Sequence, residues 1–146
     1  MIDIEGKPVT DREAVASCRV SLSKEVAEAL AHGRLPKGDA LQTARVAAIL
    51  AAKRTAELIP LCHPIAVSHI GVDFDVSETR GEVTIAVTVR AQARTGVEME
   101  ALTGAAAAAL TIYDMTKGLY PEGEIGELRL LRKTGGKSER WERKER

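Results

Sequence analysis

Apolar and polar or small positions alternate through Ala14 to Leu22 (AVASCRVSL), and two valines add β preference, so the pattern predicts a strand. The preceding Met1 to Thr10 mixes apolar, charged, Gly and Pro residues without a period and reads as an irregular lead-in. Ser23 offers an N-cap for a short helix over Lys24 to Ala31, which Gly33 stops. After a Pro36-Lys37-Gly38 turn, Asp39 and Gln42 have capping-box spacing and open a long helix through Glu57, ended by Pro60. Ile65 to Val76 and Glu82 to Ala91 carry β-branched residues at spacing near two around a Ser77 to Gly81 turn, which predicts a hairpin. Thr95 and Glu98 have the same capping spacing before a second long helix, Val97 to Leu119, rich in Ala and Leu. Pro121 and Gly123 break it, Glu127 to Leu131 alternates as a last strand, and Lys133 to Arg146 is a polar tail whose end is expected to be mobile.

This order is the split βαβ pattern of an α+β, ferredoxin-like fold: an antiparallel sheet with two long helices on one face, plus one short extra helix. One catalytic domain is expected over residues 1–138, followed by the tail at 139–146; 146 residues suffice for one real core. With both Ala-rich helices on one side, Val83, Ile85, Val87 and Val89 are expected on the other, leaving an apolar face for oligomerisation to cover.

Composition narrows the function. Only one Phe, one Trp and two Tyr contribute rings, so aliphatic side chains and alanine must fill the core. Lys plus Arg equal Asp plus Glu at 21 each, so no overall field draws the chain to nucleic acid or a membrane surface, and any anion site must be local. Two cysteines are too few for a disulfide framework, and neither a membrane-spanning run nor a signal peptide is visible. A cytoplasmic protein is the simplest reading.

Four groups of residues could carry chemistry. Leu61-Cys62-His63 stands between Pro60 and Pro64, which restrict the backbone and aim a thiol and an imidazole; alone, it is a weak signal that reads more readily as a buried small hydrophobe beside a hydrogen-bonded loop histidine. Lys37-Gly38-Asp39 places an ammonium at a helix N-terminus, a natural anion site and also an ordinary cap. Lys53-Arg54, at the far end of that helix, binds anions or simply complements the helix dipole. On the second long helix Glu98 is occupied by its cap, but Glu100 lies within ~40° of Asp114 around the axis, with Lys117 on the same side. The five alanines from Ala105 to Ala109 suit a helix packed closely on both flanks. Cys18, His32 and His69 lack close zinc-ligand spacing, and no metal site is expected. Gly135-Gly136-Lys137-Ser138 lacks the spacing of a phosphate loop.

Taken together and in order, several segments resemble the cyclic pyranopterin monophosphate synthase family, the molybdenum cofactor biosynthesis protein C family. They are Lys-Gly-Asp at 37–39, Ala-Ala-Lys-Arg-Thr at 51–55, Leu-Ile-Pro-Leu-Cys-His-Pro at 58–64, Thr-Gly-Val-Glu-Met-Glu-Ala-Leu-Thr at 95–103 and Ile-Tyr-Asp-Met-Thr-Lys at 112–117. The resemblance implies a lyase that converts a cyclised dihydro-GTP to cyclic pyranopterin monophosphate with release of pyrophosphate. It implies a homohexamer, a trimer of dimers, with active sites at subunit interfaces. Asp114 is implied as the catalytic residue; Lys37, Lys53 and Lys117 are implicated with it, and Leu61, Cys62, His63, Met99 and Glu100 contact substrate. No cofactor is implied as required; whether Mg²⁺ accompanies the triphosphate stays open.

The residue types suit that chemistry. Opening and rebuilding a purine-derived ring needs proton transfers, which a carboxylate beside amines performs when proximity shifts their pKa values toward neutrality. Cyclising a phosphate with loss of pyrophosphate needs cations, which lysines supply. Asp114 lies ~21 Å from Glu100 along one helix, too far for one compact site. If the long helices run antiparallel, Lys37 joins Asp114 and Lys117 at one pole, and Lys53 and His63 join Glu100 and Met99 at the other. Each active site is then expected to combine one pole from each of two subunits. A non-catalytic ligand-binding module is the rival reading, and it leaves the lysine, histidine and carboxylate set unexplained. Nucleic-acid binding by the tail is weakened by the zero net charge and scarce aromatics.

Overall fold

A computed structural model describes residues 1–137 and 139–144. The elements are β1 (Thr10–Ser21), α1 (Lys24–Ala31), α2 (Ala40–Lys53), α3 (Thr55–Leu58), β2 (His69–Ser77), β3 (Glu82–Ala93), α4 (Glu98–Thr116), β4 (Glu124–Thr134) and β5 (Arg140–Glu142). All strand pairs are antiparallel, in the order β2-β3-β1-β4-β5. The first four strands have ferredoxin-like order, so the expected α+β architecture is the one observed. No helix among the described residues is long and apolar enough to cross a membrane.

Alanine sets the spacing of the helix layer. Ala40, Ala44, Ala48 and Ala52 recur every fourth position and are buried along one stripe of α2. This stripe packs on α4, whose Ala101, Gly104, Ala105 and Ala108 are buried and whose Gly104 lies against Ala48 and Ala52. A Cβ on Gly104 would stand 3.2 Å from both the Ala48 carbonyl oxygen and Val87 Cγ1, so the helices approach each other and the sheet as closely as glycine permits.

That contact corrects the expected sheet faces. Val83, Ile85, Val87 and Val89 are buried beneath the helices, in register with Val20, Cys18, Ala16 and Ala14 of β1. The physical reason is volume: helices presenting mostly methyl groups need the β-branched side of the sheet to fill the core. The open face instead carries half-buried Thr84, Ala86 and Thr88, bordered by ion pairs of Glu13 with Arg90 and Arg132.

Local chemistry moves three other boundaries. The long helix ends at Lys53 rather than Glu57, because Thr55 Oγ1 donates to the Ala51 and Ala52 carbonyls and a separate short turn, α3, follows. Thr95 and Glu98 do not form a capping box. Val97 is the N-cap without a side-chain bond, and Glu98 Oε1 instead accepts from Lys133 Nζ at 2.8 Å, a charge-assisted bond that outcompetes a neutral cap. The polar tail contributes β5, which pairs Arg140–Glu142 with Arg132–Thr134 of β4. Its last two residues, expected to be mobile, lie outside the described residues.

Candidate active site

Asp114 sits in the last turn of α4, where the helix dipole disfavours a carboxylate, so something else must hold its charge. Two ammonium groups do. Lys117 Nζ, three residues on, lies 2.7 Å from Asp114 Oδ1, and Lys37 Nζ, from the turn before α2, lies 3.0 Å from Oδ2. Lys37 also donates to the Asp114 backbone carbonyl at 3.0 Å, capping the exposed end of α4. The Lys117 and then the Lys37 hydrogen bonds hold the Asp114 carboxyl below the usual carboxylate range, and Asp114 raises Lys117 above an ordinary lysine. The expected drift toward neutrality is therefore reversed in the free chain: attraction favours both charged forms. All three side chains remain about half exposed.

The opposite pole is built from different material. Glu100, in the first turn of α4, is only 4% exposed. Burial pushes its carboxyl up, and the neighbouring charge of Glu98 adds to the rise. Glu100 lies between two cavities. One, of about 500 Å³, is lined by Leu61, Cys62, His63 and Met99; the other, of about 300 Å³, by Lys53, Arg54 and Pro64. Burial also raises the Cys62 thiol, and the Glu100 charge contributes, which keeps that sulfur protonated and suits it to a wall better than to a nucleophile. The helices are antiparallel, and the two expected poles form: Lys37, Asp114 and Lys117 at one, and Lys53, His63, Met99 and Glu100 at the other.

A third feature adjoins the second pole. A cavity of about 410 Å³ is lined by Lys7, Arg12, Arg94, Lys133 and Lys137, with Glu13 and Glu98 as its carboxylates. It shares Lys7, Thr95, Gly96 and Glu98 with the Leu61–His63 cavity. The Gly135-Gly136 turn forms one wall with both residues at positive φ, and a Cβ on Gly136 would come within 2.1 Å of Arg12 Nη1. The Thr10 hydroxyl, at the cavity's edge, is buried with no hydrogen-bond partner among the described residues. This cationic cavity draws on residues 7 to 137; of these the sequence pattern singled out Thr95, Gly96, Glu98 and the Gly135-Gly136-Lys137 run, but not Lys7, Arg12, Arg94 or Lys133. Nothing in the spacing of Arg12 and Lys133 announces it, because the β1–β4 pairing brings them together.

A family model described as the MoaC family matches residues 1–136. The chain belongs to the MoaC family. Among curated MoaC relatives, the cyclic pyranopterin monophosphate synthase of Geobacter sulfurreducens is 54% identical over 145 residues, covering 99% of this chain and 91% of the relative. The protein of the same name from Chloroflexus aurantiacus is 52% identical over 143 residues, with 98% and 88% covered. That of Pelobacter propionicus is 50% identical, with 99% and 91% covered. The MoaC match therefore spans both poles and every lining residue of the cationic cavity except Lys137.

Proposed function

We propose that this chain is a cyclic pyranopterin monophosphate synthase: a lyase that converts a cyclised dihydro-GTP to cyclic pyranopterin monophosphate, releasing pyrophosphate, in molybdenum cofactor biosynthesis. The observation that carries this reading is the double ion pair on Asp114, in a chain about half identical, over nearly its full length, to proteins of that name.

The geometry divides the work. The cationic cavity of Lys7, Arg12, Arg94, Lys133 and Lys137 suits the triphosphate, and the adjoining Leu61–His63 cavity suits the ring system. Burial raises the Glu100 pKa and so favours its protonated form over that of an exposed glutamate, which suits it to donate a proton into the cavity that His63 also lines. Asp114 and Lys117 are fully ionised in the free chain. Anionic substrate competing for Lys37 and Lys117 loosens their hold on the carboxylate, which becomes a stronger base when substrate is present. Lys53 supplies a further cation beside Glu100. No cofactor is required in this scheme; Mg²⁺ enters only with the triphosphate.

The poles lie ~21 Å apart along α4, so one chain cannot close a site around both. Val46 and Leu50 of α2 and Leu110 of α4 are exposed, giving the helix pair an apolar outer face. A second copy related by a two-fold axis perpendicular to the helices covers that face and sets Lys37, Asp114 and Lys117 of one subunit against Glu100 of the other. Three such dimers make the homohexamer of this reading, a cytoplasmic enzyme with interfacial sites. Incubation with the cyclised dihydro-GTP, with pyrophosphate and pterin product measured, tests the activity. Stoichiometric release supports it, and a protein that binds the compound without releasing pyrophosphate overturns it.

A further inference from the structure

Residues 1–9 have no regular secondary structure, and ordering such a segment costs roughly 1–2 kcal/mol per residue, so its position needs partners. Local turns provide few: Lys7 N donates to Ile4 O at 3.0 Å and Glu5 N to Asp3 Oδ1 at 2.9 Å. The main tether is one side chain. Arg94 Nη1 donates to the backbone carbonyls of Glu5 at 3.0 Å and Lys7 at 2.5 Å. Arg94 is itself anchored, because its carbonyl accepts from Arg12 Nη2 at 3.2 Å, while Arg12 Nε reaches the Ala93 carbonyl at 3.4 Å.

The tethered segment lies across the substrate-side cavity. Met1, Ile2, Ile4 and Lys7 line the same space as Leu61, Cys62, His63, Met99 and Glu100. Ile4 is half-buried, whereas Met1 and Ile2 remain 73% and 77% exposed, apolar groups without apolar cover. Lys7 lines both this cavity and the cationic one. Arg94 stands at the start of the loop between β3 and α4, which leads directly to Met99 and Glu100.

We propose that residues 1–9 are a strap that closes the Leu61–His63 cavity, and that Arg94 is the positioning residue that holds it there. The inference rests on the substrate reading above. Its mechanism is electrostatic and steric together. An anion in the cationic cavity attracts Lys7, and because Lys7 belongs to the strap, filling one cavity draws Ile2 and Ile4 over the other. Closure then holds the bound ring system against Leu61 and His63, a contact made equally in the ground and transition states. Arg94 sets the register, since its two bonds fix the carbonyls on either side of Gly6.

Backbone amide exchange across residues 2–9, read by mass spectrometry with inorganic pyrophosphate as the probe, tests the strap without turnover. Because Arg94 also lines the cationic cavity, each protein is compared at pyrophosphate concentrations that saturate it by calorimetry; pyrophosphate is then expected to slow that exchange severalfold in the unaltered protein and to have no such effect in Arg94→Met. With the cyclised dihydro-GTP, Arg94→Met is expected to raise KM roughly tenfold, the size that loss of two net hydrogen bonds supports, with kcat changed less than about twofold. Arg94→Lys should recover part of both effects. Ile4→Asp, which leaves Arg94 in place, should reproduce the KM rise by removing the apolar anchor. Exchange that is identical in the unaltered protein and Arg94→Met overturns the strap, as does a fall in kcat at unchanged KM. Absence of turnover by the unaltered protein overturns the proposed activity instead, and the exchange comparison still decides the strap.

Discussion

Lys37 Nζ lies 3.0 Å from Asp114 Oδ2 although 77 positions separate the two residues in sequence. Only the antiparallel packing of α2 on α4 brings them together, and Lys117 completes the arrangement from the other side. The pairing leaves the free-chain carboxylate strongly ionised, so its reactivity depends on what competes for its lysines.

Asp114→Asn should lower kcat by at least about 100-fold, the scale of a lost general base, while leaving thermal stability nearly unchanged because the group is exposed. Asp114 is held below the ordinary carboxylate range and Lys117 above the ordinary lysine range. Neither therefore titrates in the free enzyme between about pH 5 and 9, and kcat/KM should show no limb from this pair in that window. A limb there that moves in Lys117→Arg contradicts the assignment.

Glu100 links stability to pH in the opposite sense. Its folded-state pKa is raised by burial, so the native state binds more protons than the unfolded chain once pH exceeds the unfolded value of about 4.3. Its favourable contribution is complete below that pH and is lost as pH rises through the folded pKa. Glu100→Gln should therefore raise the melting temperature at neutral pH by roughly 2–5 °C and flatten its decline with pH, while reducing turnover. Melting curves from acid to neutral pH, with unaltered protein alongside, provide the check.

Gly104→Val adds side-chain atoms where a Cβ alone stands 3.2 Å from backbone and side-chain atoms of two neighbouring elements. Overpacking of this kind costs about 1–3 kcal/mol. Denaturant unfolding should show the loss, and activity should fall with it because α2 and α4 together set the distance from Lys37 to Asp114.

Mixing Asp114→Ala with His63→Ala protein under subunit exchange should restore some activity, since a site shared between subunits regenerates a fraction of intact pairs. Failure to recover activity despite proven exchange means that each chain supplies a complete site.

Lys133→Met removes a cation from the anion cavity and strands Glu98, its partner at 2.8 Å. KM should rise about tenfold or more, with a weakened dependence on ionic strength, because screening acts most on the charges that bind the triphosphate. Steady-state kinetics at low and high salt read both effects.

The Leu61-Cys62-His63 run, the two lysine turns and the carboxylates of α4 were legible because each is a local sequence feature, and helix rise alone gave the separation of the poles. The fold order was legible for the same reason: alternation and alanine runs follow from backbone periodicity. Which face of β3 lies under the helices was not, since a period of two marks alternate positions without saying which set turns inward; the closeness of Gly104 to Val87 decided it. The fate of Glu98 was likewise hidden, because a cap is visible three residues away whereas Lys133 reaches it only through the sheet. The anion cavity and the Arg94 tether belong to the same class. Sequence by itself determined the elements and the chemistry each carries, because those depend on neighbours along the chain. Tertiary structure alone decided which charges meet, because strand register and helix packing join residues that no local pattern relates.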